Sequence, residues 1–146
     1  MCGIIGIVSK NQVVDRLLDG LEHLEYRGYD SAGIATINNS EIVSSKSTGK
    51  LVFLKKKLKQ SPIDGYIGIG HTRWATHGEP VELNAHPHVT KNVAVVHNGI
   101  IENFAEFKDG LLKKGINFES QTDTEVVAKL VDEKISKEKL GPLEAV

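Results

Sequence analysis

Cysteine occurs once in this chain, as do methionine and tryptophan, and aromatic residues make up only 5% of its 146 positions. One cysteine excludes an internal disulfide and suits a reducing compartment. No apolar run approaches the ~20 residues that span a bilayer. Residues 4–8 are too few for the apolar region of a secretory signal, and no basic segment precedes them. A cytoplasmic location is expected. An excess of one charge is missing too: 18 Lys and Arg stand against 19 Asp and Glu, a formal net charge of -1. No global field therefore draws nucleic acid or an anionic membrane, and neither is expected as a partner. What remains, 40% hydrophobic and 25% charged, is the profile of one globular domain able to bury a core.

The lone cysteine, Cys2, directly follows the initiator methionine and precedes Gly3-Ile4-Ile5-Gly6-Ile7-Val8, a short β-branched run that predicts a strand. Removal of Met1, which a small second residue favours, leaves a thiol and a free α-amine on one residue. A thiol titrates near ~8.5 and an α-amine near ~7.7–8.0, so the amine can take the thiol's proton near neutral pH. That pair is a nucleophile with its own general base. An incidental buried cysteine is the competing reading.

Along the chain, Val13, Val14, Leu17, Leu18, Leu21 and Leu24 recur at helical spacing, predicting an amphipathic helix over 11–25. Residues 26–33 read as a polar, glycine-bearing loop, followed by a strand over 34–37 and a turn at Asn38-Asn39-Ser40 into a second strand over 42–46. A short helix is expected over 50–59, where Lys55-Lys56-Lys57 reads as a solvated face. A strand over 66–73 follows, with Gly68 and Gly70 marking a bend or close backbone approach. The run Val93-Ala94-Val95-Val96 predicts a strand over 91–97 buried on both faces. A helix over 102–114 ends at Gly115. Thr122-Asp123-Thr124-Glu125 has the spacing of a capping box before another helix. Pro142 suits the first turn of a last helix, but residues 143–146 give only about one turn. The expectation is an α/β domain, sheet-rich in its first two thirds and incomplete at its C-terminal end.

Polar residues cluster where predicted strands end. Five of the six histidines are His71, His77, His86, His88 and His97; His86-Pro87-His88 could offer two metal ligands, but no completing carboxylate or thiolate shell is near, so hydrogen-bonding histidines are expected and no metal. Arg73 follows a strand and its guanidinium could fork onto a carboxylate; its neighbour Trp74 could cover the pocket or simply belong to the core. Asn98 and Gly99 could converge an amide and a backbone N–H on one point, as an oxyanion hole requires, or merely form a turn. Asp123 could interact with its helix dipole or bind an ammonium. A nucleophile with a base, an oxyanion hole, a carboxylate clamp and an ammonium acceptor together suit glutamine hydrolysis.

The blocks Cys2-Gly3-Ile4, Tyr26-Arg27-Gly28-Tyr29-Asp30-Ser31-Ala32-Gly33, His71-Thr72-Arg73-Trp74-Ala75-Thr76-His77-Gly78, Asn84-Ala85-His86-Pro87-His88, His97-Asn98-Gly99-Ile100-Ile101-Glu102-Asn103 and Thr122-Asp123-Thr124-Glu125 resemble the glutaminase domain of the glucosamine-6-phosphate synthase family, class II glutamine amidotransferases. The resemblance implies an N-terminal-nucleophile hydrolase fold (α+β), an αββα sandwich of two stacked sheets between helical layers. It implies Cys2 as nucleophile with its α-amine as base, and Asn98 with Gly99 as oxyanion hole. Arg73 would bind the glutamine carboxylate, Asp123 the amino group, and Trp74, Thr76 and His77 would belong to a loop closing over glutamine. No cofactor is implied. In the family the ammonia passes to sugar-isomerising domains that bind fructose 6-phosphate, and the whole enzyme is a homodimer. Those domains are absent from residues 1–146, which are expected to form part of the glutaminase domain. The competing expectations are a glutamine-binding remnant without turnover and a metal hydrolase using His86 and His88.

Overall fold

The computed structural model of the chain describes residues 2–75 and 78–146; Met1, Thr76 and His77 lie outside the described residues. Four strands form an antiparallel sheet: β1 (Gly3–Val8), β2 (Ser31–Asn38), β3 (Glu41–Thr48) and β4 (Ile67–Arg73), in the order β1-β4-β2-β3. The β2–β3 turn is the expected one. Asn38 pairs with Glu41, and the two connecting residues, Asn39 and Ser40, have φ of 48° and 67°, the left-handed pair whose twist suits a two-residue hairpin.

Two helices cover one face of this sheet, α1 (Val14–His23) and α2 (Leu51–Gln60). Their apolar stripes do what the spacing predicts. Leu17, Leu18 and Leu21 of α1 join Leu51, Leu54 and Leu58 of α2 against Ala32 and Ile34, with Ile5 and Ile7 packed beside them. Each fully buried leucine contributes roughly 1.5–3 kcal/mol. The close approach expected at Gly68 is real: a Cβ there would stand 2.7 Å from Leu17 Cδ1, so glycine lets α1 settle onto β4. No side chain of α2 caps its own N-terminus; the Tyr29 hydroxyl accepts the Leu51 N–H instead, at 2.5 Å.

On the other face lies a second, two-stranded sheet, β5 (His88–Val89) with β6 (Ala94–Val95). Helix α4 (Thr124–Glu133) packs on it and α3 (Phe104–Lys113) packs on α4. The order of layers is helix, sheet, sheet, helix. Helix α3 closes with the Gly115 N–H on Leu112 O and the Ile116 N–H on Leu111 O, the paired closure expected at that glycine. A short α5 (Pro142–Ala145) follows, with Pro142 in its first turn. Among the described residues no helix is long and apolar enough to cross a membrane.

Three expectations need correction. The strand over 91–97 shrinks to Ala94 and Val95, and residues 93–96 are half-buried. An apolar run fixes a tendency, but a central strand needs a paired strand along each edge, and among the described residues β6 pairs with β5 along one edge. The capping box does not form. Asp123, not Thr122, precedes α4, and the Glu125 carboxylate turns back to accept the Glu119 and Ser120 N–H groups and the Ser120 hydroxyl. Finally, Ser31, Ala32 and Gly33 belong to β2, not to the preceding loop, because they complete pairing with both β3 and β4.

Candidate active site

Antiparallel pairing sets the site. Gly3 lies opposite Thr72 and Ser31 opposite Arg73, so the residues just before β1 and β2 and at the end of β4 meet at one edge of the sheet. The Gly3 N–H donates to Thr72 Oγ1 at 3.1 Å and pins that register. There a cavity of about 540 Å³ opens, lined among others by Cys2, Arg73, Trp74, Asn98, Gly99 and Asp123. Every predicted site residue that is described borders it; Thr76 and His77 lie outside the described residues.

The Cys2 sulphur sits against the Trp74 peptide. The Trp74 N–H points to Sγ at 3.2 Å, and Sγ lies 3.7 Å from the Trp74 carbonyl. The Cys2 carbonyl accepts from two side chains, Asn98 Nδ2 at 3.3 Å and Arg27 Nη1 at 3.4 Å. The Trp74 ring is half exposed and lies on Gly28: a Cβ at Gly28 would come within 2.6 Å of it, and φ there is +73°.

Arg73 is buried, with Nη1 3.5 Å from the Glu79 carbonyl and 4.0 Å from Asp30 Oδ1. Asp30 braces this corner, accepting the Ala75 N–H at 2.5 Å while its own N–H donates to the Arg73 carbonyl at 2.8 Å. Asn84, also buried, holds the Glu79 carbonyl at 2.9 Å and exchanges hydrogen bonds with Gln121. Asp123 Oδ2 accepts the Ile101 N–H at 2.6 Å, which ties the 98–101 turn to the start of α4. It is a brace as well as a half-buried carboxylate.

Beneath the cavity the histidines pack against one another. His71 and His86 stack with ring centroids 4.4 Å apart, and His88 meets His86 edge-on at 4.7 Å. Burial pushes all three imidazoles down, His71 to about 4, His86 to about 2 and His88 to about 4, because desolvation penalises the charged ring. His71 Nε2 lies 2.8 Å from Asn98 Oδ1, and His88 Nε2 lies 2.7 Å from Thr122 Oγ1. These are hydrogen-bonding histidines, as expected. Arg27 and Asp30 also border the site without having been singled out, and His71 and His86, read from the sequence as hydrogen-bonding histidines, lie at it too. Their blocks were visible; their through-space partners were not.

A thiol, an asparagine amide beside a glycine, a guanidinium and a carboxylate thus share one cleft. A family model described as a glutamine amidotransferase domain matches residues 71–144. The glutamine–fructose-6-phosphate aminotransferase (isomerizing) of Mesorhizobium japonicum is 59% identical over 145 residues, covering 99% of this chain and 24% of that protein. The protein of the same name from Brucella suis is 60% identical over all 146 residues, again 24% of its length. The chain therefore spans about a quarter of these relatives. Among solved structures, the glutamine phosphoribosylpyrophosphate amidotransferase of B. subtilis, complexed with ADP and GMP, superposes with a TM-score of 0.80 at 25% identity, over 99% of this chain and 31% of that one. A structure described as the allosteric regulatory enzyme of purine biosynthesis gives 0.80 at 26% identity, with the same coverage.

Proposed function

This chain belongs to the glutamine amidotransferase family, and we propose that its cleft hydrolyses the side-chain amide of glutamine through a thioester on Cys2. Its four layers are those of an N-terminal-nucleophile hydrolase. The observation that carries the reading is the convergence of Cys2, Asn98, Gly99, Arg73 and Asp123 on one cavity.

Loss of Met1 frees the Cys2 α-amine. The amine takes the thiol proton, and sulphur attacks the amide carbon of glutamine. The carbonyl oxygen becomes an oxyanion that accepts from Asn98 Nδ2 and the Gly99 N–H; such a donor contributes roughly 10²–10³-fold to the rate. The ammonium form of Cys2 returns its proton to the leaving nitrogen, and ammonia departs. Water, deprotonated by the same amine, then cleaves the thioester to give glutamate and restore the thiol. Arg73 holds the substrate carboxylate and Asp123 its ammonium, with Trp74 beside them. Burial of Arg73 beside Asp30 makes its guanidinium a preoriented fork, so little ordering is left to the binding step.

The two relatives named above support a wider reading. The ammonia aminates fructose 6-phosphate, bound by further domains of a longer, homodimeric enzyme, to give glucosamine 6-phosphate, and the work is done in the cytoplasm. The test is mass spectrometry of the purified chain after exposure to diazo-oxo-norleucine, together with an ammonia-release assay. A single adduct on an N-terminal Cys2, competed by glutamine, with turnover abolished in Cys2→Ala, is expected. Ammonia release with Met1 intact overturns the mechanism; glutamine binding by calorimetry without ammonia release leaves a binding module.

A further inference from the structure

We propose that His71 is a positioning residue that fixes which way the Asn98 amide faces, by donating from Nε2 to Asn98 Oδ1 so that Nδ2 is presented toward Cys2. The inference rests on the reading of Asn98 as an oxyanion donor.

Asn98 is exposed and Gly99 beside it is exposed too, as donors that must reach a substrate have to be. An exposed asparagine amide has a broad, nearly two-fold rotation about its last torsion, and the two orientations are chemically opposite. One offers N–H to the cleft; the other offers a carbonyl oxygen, which repels an oxyanion. Two fixed groups decide between them. On one side stands the Cys2 carbonyl, 3.3 Å from the amide, which is an acceptor only and therefore demands N–H. On the other stands His71 Nε2, 2.8 Å away, which is left with the oxygen and must itself carry the hydrogen.

The histidine can hold that role because it cannot turn or charge readily. It is 1% exposed, lies in the interior of β4 and is stacked on His86. Two stacked imidazolium rings would repel without water between them, so the pair stays neutral and His71 keeps one N–H. Its other nitrogen, Nδ1, is buried and makes no hydrogen bond of good geometry among the described residues, although the His97 backbone acts on the ring; the choice rests on the Cys2 carbonyl, which needs the amide N–H and leaves Asn98 Oδ1 to His71. The one proton is thereby assigned to Nε2. The chain of orientation runs from the buried His71–His86 stack to a surface amide, and from there to the reacting carbonyl.

Long-range ¹H–¹⁵N spectra of the ¹⁵N-labelled chain report the tautomer directly. The expected result is a neutral His71 with hydrogen on Nε2 at pH 7. An Nδ1–H tautomer, its proton turned to the neighbouring His97 carbonyl and the Asn98 amide reversed, overturns the inference. Kinetics supply the second arm. His71→Leu is expected to lower kcat for glutamine by between roughly tenfold and a hundredfold, short of complete donor loss, with KM nearly unchanged. His71→Gln, whose amide can still donate, is expected to recover most of that loss. In an Asn98→Ala background, His71→Leu should cost no further activity, since the two act as one unit. Additive losses, or a change confined to KM, overturn it. If Asn98→Ala leaves turnover intact while the tautomer is as stated, the oxyanion reading fails and the positioning geometry does not; with an Nδ1–H tautomer and an inactive Asn98→Ala, the reverse holds.

Discussion

Acidification between pH 7.5 and 5.5 should destabilise this protein steeply, well before any carboxylate titrates. His71, His86 and His88 are 1%, 4% and 4% exposed, and burial lowers their imidazoles from 6.5 to about 4, about 2 and about 4. In the unfolded chain all three take up protons near pH 6.5; in the folded chain they stay neutral. The unfolded state thus binds more protons throughout this window, so stability rises with pH and falls as pH is lowered. For each ring the loss between pH 7.5 and 5.5 is about 1.4 kcal/mol, one full pH unit below the unfolded value. Three rings together lose about 4 kcal/mol, a large share of the ~5–15 kcal/mol that holds a domain. Glu125 does not contribute here. Burial raises its carboxyl, but hydrogen bonds from Glu119 and Ser120 outweigh that and hold it below 4.5, so its stabilisation is lost only in stronger acid. Urea unfolding followed by circular dichroism measures the effect. With a slope of about 2 kcal/mol per molar urea, the midpoint should fall by about 2 M between the two pH values. His88→Asn should reduce the pH slope by about a third, whatever it does to stability at pH 7.5. A midpoint that moves by less than about 0.5 M, or any of the three rings titrating near 6.5 in the native state, would refute the burial account.

Three other perturbations separate binding from folding. Asp30→Ala removes the acceptor of the Ala75 N–H and the carboxylate 4.0 Å from Arg73; loss of a charge-assisted contact of ~1.5–3 kcal/mol should raise the glutamine KM by roughly tenfold to a hundredfold in steady-state kinetics, with kcat less affected. Glu125→Gln keeps the shape but sets an amide NH₂ against the donors of Glu119 and Ser120; stability in urea should drop by about 2–3 kcal/mol while labelling of Cys2 persists. Gly28→Val forces a β-branched residue to φ +73° and drives its Cβ to within 2.6 Å of the Trp74 ring; it should cost at least ~1–2 kcal/mol and shift the Trp74 fluorescence, and an unchanged spectrum would mean that the ring does not rest there.

Much of the site could be read from the residues because chemistry and position coincided. Cys2, Arg73 and Asn98-Gly99 each stand at or just beyond the end of an apolar stretch, where a strand delivers polar groups to an edge. What escaped was any role set by a partner far away in the chain. Arg27 supports Cys2 across 25 positions, His71 meets Asn98 across 27, and Asn84 meets Gln121 across 37; local spacing carries no trace of such pairs. The capping box failed for a related reason. Thr122 and Glu125 have the right separation, but two N–H groups and a hydroxyl at Glu119 and Ser120 compete for the same carboxylate and win it with three donors against one.

Register then explains why a cleft rather than a scatter of polar residues results. Gly3 faces Thr72 and Ser31 faces Arg73, so Cys2, Asp30 and Arg73 are carried to one edge by two ladders that share β4. The alternation along a strand has a period of two, so a slip of one residue would turn Arg73 to the opposite face and bury the apolar face of β1 wrongly at the same time. The same leucines of α1 and α2 that stabilise the sheet therefore penalise every register in which the Cys2 thiol and the Arg73 guanidinium are apart. Core and site are specified by one pairing. A substitution at Thr72, whose hydroxyl takes the Gly3 N–H at 3.1 Å, should accordingly loosen Cys2 before it unfolds the domain.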